Sequence, residues 1–467
     1  MRKTKIICTL GPATEDTDVL RQLIEEGADV FRLNMSHAHH RSVREIVPRI
    51  RQLADEVGRP VAILLDTQGP AIRTGQLKMP LLLKKGDILE FTVRGAKRTA
   101  KNSVDVNYDR FVEDVSVGDT VLVDNGLIKV AVIEKEKNRV RCKVLTPATL
   151  GSRRHINLPG VHVNLPPLTK KDLADVALGT ELGADFIALS FVREESDIEE
   201  LRRLLARKKS KALIVAKIED QAAVQSIDKI IKGADVIMVA RGDLGIECPM
   251  EELPIIQRRI VKSCIRFGKP VVVATQMLES MISNPLPTRA EITDVANAVF
   301  EQADAIMLSG ETSVGRYPVE CVRVLNRVAA RIERSGGAGY GQDALLEDAR
   351  QKTVASAVVL ANSLRRAKMI VFTRHGTMAR NVSNLRPEHA PIFAFTPSEE
   401  VRRQLSILWG VYPVLLAFTK DPNATIEAAE KLLRENKLTA PGDQLVIISD
   451  VRAGESLVDC VQLRTAK

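Results

Sequence analysis

The chain has 467 residues, 45% of them hydrophobic and 27% charged, with 68 Lys+Arg against 59 Asp+Glu and a formal charge of +9. Such a composition is globular and long enough for two to four domains, which excludes the disordered and collagenous classes. With 11 Phe, 4 Tyr and 1 Trp there is little to stack bases on, so the positive excess suits phosphorylated small molecules better than nucleic acid. The six cysteines are dispersed without a CxxC pair, a usage that fits a reducing compartment rather than a disulfide scaffold. No apolar run reaches the ~18 residues of a membrane span. The opening Met1-Arg2-Lys3-Thr4-Lys5 leads into a short apolar run without a secretory core, and a cytoplasmic protein is expected.

In chain order, short apolar runs at 6–10, 30–33, 61–65, 186–189, 213–216, 236–240, 271–274 and 305–308 alternate with amphipathic stretches at 18–26, 42–57, 196–208, 221–232, 250–267 and 292–302. Strand and helix in alternation predict parallel strands with crossover helices, and eight strands are the number that closes a (β/α)8 TIM barrel. The rival, an open doubly wound sheet, normally carries a glycine-rich fingerprint after its first strand, and none is present.

Between barrel strands three and four the pattern changes. Short strand-like runs at 88–93, 120–123, 128–133 and 140–144, with turn signals such as Asp124-Asn125-Gly126, predict a small all-β insertion. It leaves at Gly69-Pro70 and returns at Leu165-Pro166-Pro167, and its place in a β–α loop makes it a lid over the active face. A glycine-rich linker at 335–341 leads to a further α/β unit. The expected division is a catalytic barrel of 1–70 and 167–335, an inserted β-barrel lid of 71–166, and a C-terminal α/β regulatory domain of 345–467.

Polar residues cluster just after the apolar strands, where a closed barrel gathers them on one face. Arg32, Asn34 and Ser36 share one parity, as do Lys217 and Glu219, Arg241 and Asp243, and Ser309 and Glu311. Asp66 and Thr67 end the third strand, Ser190 the fourth and Thr275 the seventh. Taken singly, each has a plain alternative, as a solvated strand end, a helix cap or a structural ion pair. Taken together, they make a pocket. Glu219 and Asp243 can offer oxygen ligands to a hard divalent ion, and the absence of an HExxH or Cys/His cluster argues against zinc. Lys217, Arg73 and Arg32 add cations beside that ion, an arrangement suited to phosphoryl transfer. The amides of Arg241-Gly242-Asp243 are expected to open a short helical turn that accepts a carboxylate.

At these residues the sequence resembles the pyruvate kinase family over essentially its whole length. The resemblance is carried by Lys5–Ala13, Arg32–His37, Asp66–Gly75, Lys217-Ile218-Glu219, Met238–Gly245, Thr275–Met281, Pro287–Asn297 and Met307–Thr312. It implies transfer of the phosphoryl group of phosphoenolpyruvate to ADP, giving pyruvate and ATP, the last step of glycolysis. By position, Glu219 and Asp243 bind Mg2+ or Mn2+, while Arg73 and Lys217 hold the transferring group. Thr275 helps protonate the enolate, and the Gly242 and Asp243 amides take the carboxylate. Arg32, Asn34, His37 and, from the lid side, Lys171 reach the nucleotide phosphates. Asn34, Ser36, Asp66 and Thr67 match the potassium ligands. Thr373, Gly376 and Thr377 match an effector phosphate loop, with Asp450 and Arg452 in the closing loop. A homotetramer regulated by a phosphorylated effector is implied, and the lack of an animal-type N-terminal extension suggests a bacterial type.

The chain departs from the family in places. Thr67-Gln68-Gly69-Pro70-Ala71 mixes the patterns of potassium-dependent and potassium-independent members and has neither acid nor lysine at Ala71, so a weakened K+ dependence is expected. The run 147–155 lacks the double glycine often found there. Competing readings are another barrel acting on phosphoenolpyruvate or pyruvate, a catalytically dead sensor, and a nucleic-acid binder. The first has no need of the inserted lid. The second predicts loss of Lys217, Glu219, Asp243 or Thr275, all of which are present.

Overall fold

Eight runs too apolar to face water on either side close into a parallel barrel, as expected of strands that must bury both faces. In a computed structural model, which describes residues 1–97, 99–453 and 456–467 and the side chains of all but 450–453 and 456–458 of these, the strands are Lys5–Thr9, Val30–Asn34, Ala62–Asp66, Phe186–Leu189, Leu213–Ile218, Val236–Ala240, Val271–Ala274 and Ala305–Leu308. They follow one another around the ring in chain order, and the last closes on the first with Lys5 opposite Ala305. Alternating parity separates two cores. Ile7, Val30, Leu64, Val215 and Met238 fill the barrel interior, whereas Ile6, Phe31, Ile63, Ile187 and Ile214 face the surrounding helices.

Local chemistry fixes the helix starts. Asp16 accepts the amides of Asp18 and Val19 at 2.8 and 3.1 Å ahead of helix Thr17–Glu26, satisfying donors a helix end leaves free. Thr169 and Asp172 form a reciprocal capping box at the start of helix Lys170–Glu181. The single helix expected at 221–232 is two, Gln221–Gln225 and Ile227–Gly233, because Ser226 (φ −94°, ψ 12°) leaves the helical ladder between them. Serine is a weak residue at such an interior position because its hydroxyl competes with the backbone. In the C-terminal unit, helix Glu399–Gln404 passes directly into a tighter turn, Leu405–Ile407.

The insertion between the third and fourth barrel strands is built on two sheets. Six strands pair in the order Ile156–Asn157, Thr120–Val123, Ile128–Glu136, Arg139–Val144, Ile88–Thr92, Ser103–Asp105, and Leu81–Leu83 pairs with Ala148–Leu150. A core of its own, centred on Phe91, Phe111 and Val130, lies beneath them. Beyond the linker, a five-stranded sheet runs Val411–Leu415, Ile392–Thr396, Ala367–Phe372, Gln444–Ala453, Ser456–Thr465, parallel except for the last pair. Asp450 and Arg452 fall in strand Gln444–Ala453 rather than in a loop, and their side chains lie outside the described ones. This unit docks under the barrel through Arg386, whose guanidinium meets Asp304 at 2.6 Å with both side chains almost wholly buried. No described helix is long and apolar enough to cross a membrane.

Candidate active site

The C-terminal ends of the barrel strands and the underside of the lid enclose a polar cavity of about 360 Å³. Its floor is a charge network. Lys217, near the end of the fifth strand, directs its ammonium at Asp66 (3.2 Å), at Glu219 (2.9 Å) and into a hydrogen bond to the Ser190 hydroxyl (2.7 Å). Parity does this: Lys217 points into the barrel mouth and Glu219, two residues on, points the same way. Burial alone would lower the Lys217 pKa, but Asp66 and Glu219 outweigh it and hold it well above the usual lysine value. The ammonium is therefore a permanent cation.

Asp66 is fully buried at the end of the third strand and also receives Arg32, at 2.6 Å. Burial pushes its pKa up, yet the Lys217 and Arg32 charges together leave it below the usual carboxylate range. Glu219 is less well compensated. Its second oxygen accepts the Phe191 amide at 2.6 Å. Burial, with Asp243 adding repulsion and Lys217 opposing, pushes its pKa up to about 7. A carboxylate raised in this way is short of positive charge.

Asp243 lies in the first turn of helix Arg241–Glu247, which begins directly after the sixth strand, so the expected helical opening is present. Glu219 and Asp243 both line the cavity, as do Arg32, Asn34, Ser36 and Thr67. From the lid side come Arg73 and three residues not singled out in the sequence for the site, Arg153, Arg154 and Asp124. Arg73 donates to the Arg153 carbonyl at 3.2 Å, and Arg154 pairs with Asp124 at 3.3 Å. Their signal was the Arg153-Arg154 pair before the return strand and the Asp124-Asn125-Gly126 turn, which serves as a hairpin and as cavity wall at once.

Thr275 stands at the edge of this site. Its hydroxyl accepts the Gly242 amide at 2.8 Å and donates to the Ala274 carbonyl at 2.6 Å. Thr275 has φ +69° and Gln276 φ +55°. A β-branched residue in the left-handed region is strained, and such strain gathers at functional loops.

Other expected residues lie elsewhere. Lys171 is on barrel helix Lys170–Glu181, not on the lid, and its ammonium is held by the Met35 carbonyl (2.6 Å) and Asp175 (2.7 Å). Its place on the barrel follows from the chain re-entering the barrel before Thr169. His37 is exposed beyond the cavity, in the turn whose amide bonds the Asn34 carbonyl. Arg241 does not share a face with Asp243, because the strand ends at Ala240. It turns back to Asp294 (2.7 Å) and the Thr275 carbonyl (2.6 Å). Glu311 folds onto the amides of Ser309 and Leu278 at 2.7 and 3.0 Å, a structural cap. The Thr67 hydroxyl donates to the Ala188 carbonyl at 3.0 Å, and Asn34 accepts the Ser36 amide at 3.1 Å. In the last unit, Gly376 (φ +84°) precedes helix Thr377–Asn384, with Thr373 buried and Thr377 exposed.

Among the described residues no cluster of three His, Cys, Asp or Glu could enclose a metal. Two oxygen donors with open positions remain, which fits a hard divalent ion that keeps water and substrate as its other ligands.

Comparison with known proteins agrees with this geometry. The family model for the pyruvate kinase barrel domain matches residues 1–322, and that for the pyruvate kinase alpha/beta domain matches 351–461. A pyruvate kinase of Geobacillus stearothermophilus is 42% identical, over 97% of this chain and 78% of its own. One from Staphylococcus aureus is 40% identical over 98% of this chain and 79% of its own. The crystal structure of a pyruvate kinase from Cryptosporidium parvum superposes with a TM-score of 0.95 at 36% identity, covering 100% of this chain and 96% of that one. With two family models spanning most of its length and relatives at 40% and 42% identity over 97% or more of it, the chain belongs to the pyruvate kinase family.

Proposed function

We propose that the cavity transfers the phosphoryl group of phosphoenolpyruvate to ADP, leaving pyruvate and ATP. The observation that carries this reading is the Lys217 ammonium set between Asp66 and Glu219, with Asp243 across the same cavity. Glu219 and Asp243 are the residues to hold Mg2+ or Mn2+, whose charge, when bound, would stabilise the phosphoryl oxygens. Lys217 and Arg73 contact that group from the barrel and the lid respectively. As loose phosphoryl transfer spreads negative charge over peripheral oxygens, fixed cations around it lower the barrier.

Lys217 keeps its proton, so it stabilises the enolate as a charge and does not protonate it. The proton enters from the Thr275 side, relayed by water. The Asp243 amide takes the substrate carboxylate, and the Gly242 amide does so in competition with Thr275. Arg32, Asn34 and His37 serve the nucleotide side, where Arg153 and Arg154 replace Lys171 as the lid-borne cations. Asn34, Ser36, Asp66 and Thr67 offer oxygens to K+, although Asp66 is already balanced by Arg32 and Lys217. A phosphorylated effector at Thr373, Gly376 and Thr377, and assembly as a homotetramer, belong to the same reading.

The test is a coupled assay of pyruvate formation from phosphoenolpyruvate and ADP with Mg2+ present and then chelated. Turnover that depends on the metal supports the reading. No turnover at saturating substrates with metal present overturns it.

A further inference from the structure

Behind the wall made by His155 and Phe191 lies a second cavity, of about 160 Å³, at the root of the lid. One side is the returning lid segment from Asn157 to Leu165. The other is the loop after the fifth barrel strand together with Glu247, which ends helix Arg241–Glu247. Ile72, Leu158, Val161 and Phe191 form the apolar part of a lining that is otherwise polar.

The polar groups set into that lining are unbalanced. Glu247 is 9% exposed, and one of its oxygens accepts the Asn157 side-chain amide at 2.8 Å. Asp220 lines the same space while capping the next helix through the Ala223 amide at 2.8 Å. The wall's guanidinium, Arg193, donates to the carbonyls of Val163, Leu165 and Phe191, and its charge opposes the burial that raises the Asp220 pKa, whereas among the described residues no cation faces Glu247. Asn157 is 4% exposed, and its side-chain oxygen is buried with no hydrogen-bond partner. A buried acceptor left unpaired is unfavourable and calls for a donor.

We propose that this hinge cavity is a binding site for a small amphipathic cation, a primary ammonium on a compact apolar or aromatic body. An ammonium brings three donors and no acceptor, which answers the Asn157 oxygen and the Glu247 and Asp220 carboxylates together. Its body packs on Ile72, Leu158 and Val161. Arg193 already faces Asp220, so the charge left to compensate is that of Glu247, which a neutral molecule leaves unanswered and an anion would oppose. Burial first, with repulsion from Asp220 and Asp243, pushes the Glu247 pKa up to about 7 while Asn157 opposes. A bound cation therefore favours the deprotonated form.

The site touches lid and barrel at once. Phe191 stands between the two cavities, with its amide on Glu219 at 2.6 Å. Occupancy is thus positioned to alter how the lid closes and how Glu219 is held.

The test is calorimetric titration of the full chain with Mg2+, in the absence and in the presence of saturating phosphoenolpyruvate, using benzylamine, benzyl alcohol and benzoate as probes. Benzylamine is expected to saturate one site per chain and to bind at least about tenfold more tightly than the other two. Glu247→Gln keeps the volume and the Asn157 contact, and should weaken benzylamine at least about tenfold. Affinity should fall as the pH is lowered and Glu247 takes up a proton. Asp220→Asn is the second variant should the first not fold. Absence of saturable benzylamine binding, equal affinity for benzyl alcohol, or unchanged affinity in a folded variant overturns the proposal. So does displacement of benzylamine by phosphoenolpyruvate.

Discussion

The Asp172 carboxylate accepts the backbone amide of Gly69 at 3.1 Å and that of its neighbour Gln68 at 2.9 Å. Its other oxygen accepts the Thr169 amide at 2.9 Å and the Thr169 hydroxyl at 2.6 Å. One fully buried side chain thus joins the point where the chain leaves the barrel for the lid to the point where it has come back. Gly69 has φ +71°, and a Cβ there would lie 2.9 Å from Ser190 and from Phe191. Both neighbours shape the active cavity. Gly69→Ala is expected to lower stability by about 1–3 kcal/mol and to raise the KM for phosphoenolpyruvate, measured by chemical denaturation and steady-state kinetics. Unchanged values in both would show that the corner is free to relax.

Lys217→Met keeps the stem volume and removes the cation. The transition-state charge then loses its fixed partner, and kcat should drop by about 10³-fold or more, while phosphoenolpyruvate binding stays measurable by fluorescence or calorimetry. A rate near that of the unaltered chain would show that Lys217 serves only to balance Asp66 and Glu219.

Glu219 supplies a pH dependence whose sign is fixed by its raised pKa of about 7. Folding retains a proton on Glu219 that the unfolded chain releases near the ordinary glutamate value, so this group's contribution to metal-free stability declines between about pH 4.5 and pH 7 as pH rises. Divalent ions bind the deprotonated form, so affinity should increase about tenfold per unit up to pH 7 and level off above it, with proton release on binding. Mn2+ titrations in buffers of different ionisation enthalpy measure both. Flat affinity between pH 5.5 and pH 7.5 would contradict the assignment of Glu219 as a ligand.

Asp304 is the buried anchor of the C-terminal unit. It meets Arg386 at 2.6 Å and accepts the Trp409 amide at 3.1 Å and the Val271 amide at 3.0 Å. Arg386→Ala leaves that carboxylate without its cation in a site closed to water, and should cost about 3–5 kcal/mol, read from denaturant unfolding. A loss under about 1 kcal/mol would mean that the pair behaves as a surface ion pair does.

Potassium dependence should be weak. Asp66 already has Arg32 at 2.6 Å and Lys217 at 3.2 Å, and Ala71 adds no charge to the rim. Replacing K+ by tetramethylammonium is expected to leave most of the activity. An obligatory K+ requirement in the coupled assay would be the contrary result.

The barrel was legible in the amino-acid order because each of its strands is a short, β-rich apolar run, and period-two parity alone places Lys217 beside Glu219. Boundaries shifted by a residue or two where polar residues such as Asp66 and Lys217 extend a strand past its apolar stretch. The parity argument failed for Arg241, since a helix starts one residue after the strand and a helical turn sends neighbouring side chains to different sides. Of the lid residues that face the cavity, Arg73 was singled out in the sequence, but Arg153, Arg154 and Asp124 were not. Arg153, Arg154 and His155 read as the end of an insertion until the hairpin at Asp124 folds over the barrel mouth. Local pattern sets periodicity and therefore the elements. Contacts between residues that lie far apart in the chain, such as Asn157 with Glu247 or Gly69 with Asp172, depend on how those elements close on one another, and only the folded chain decides them.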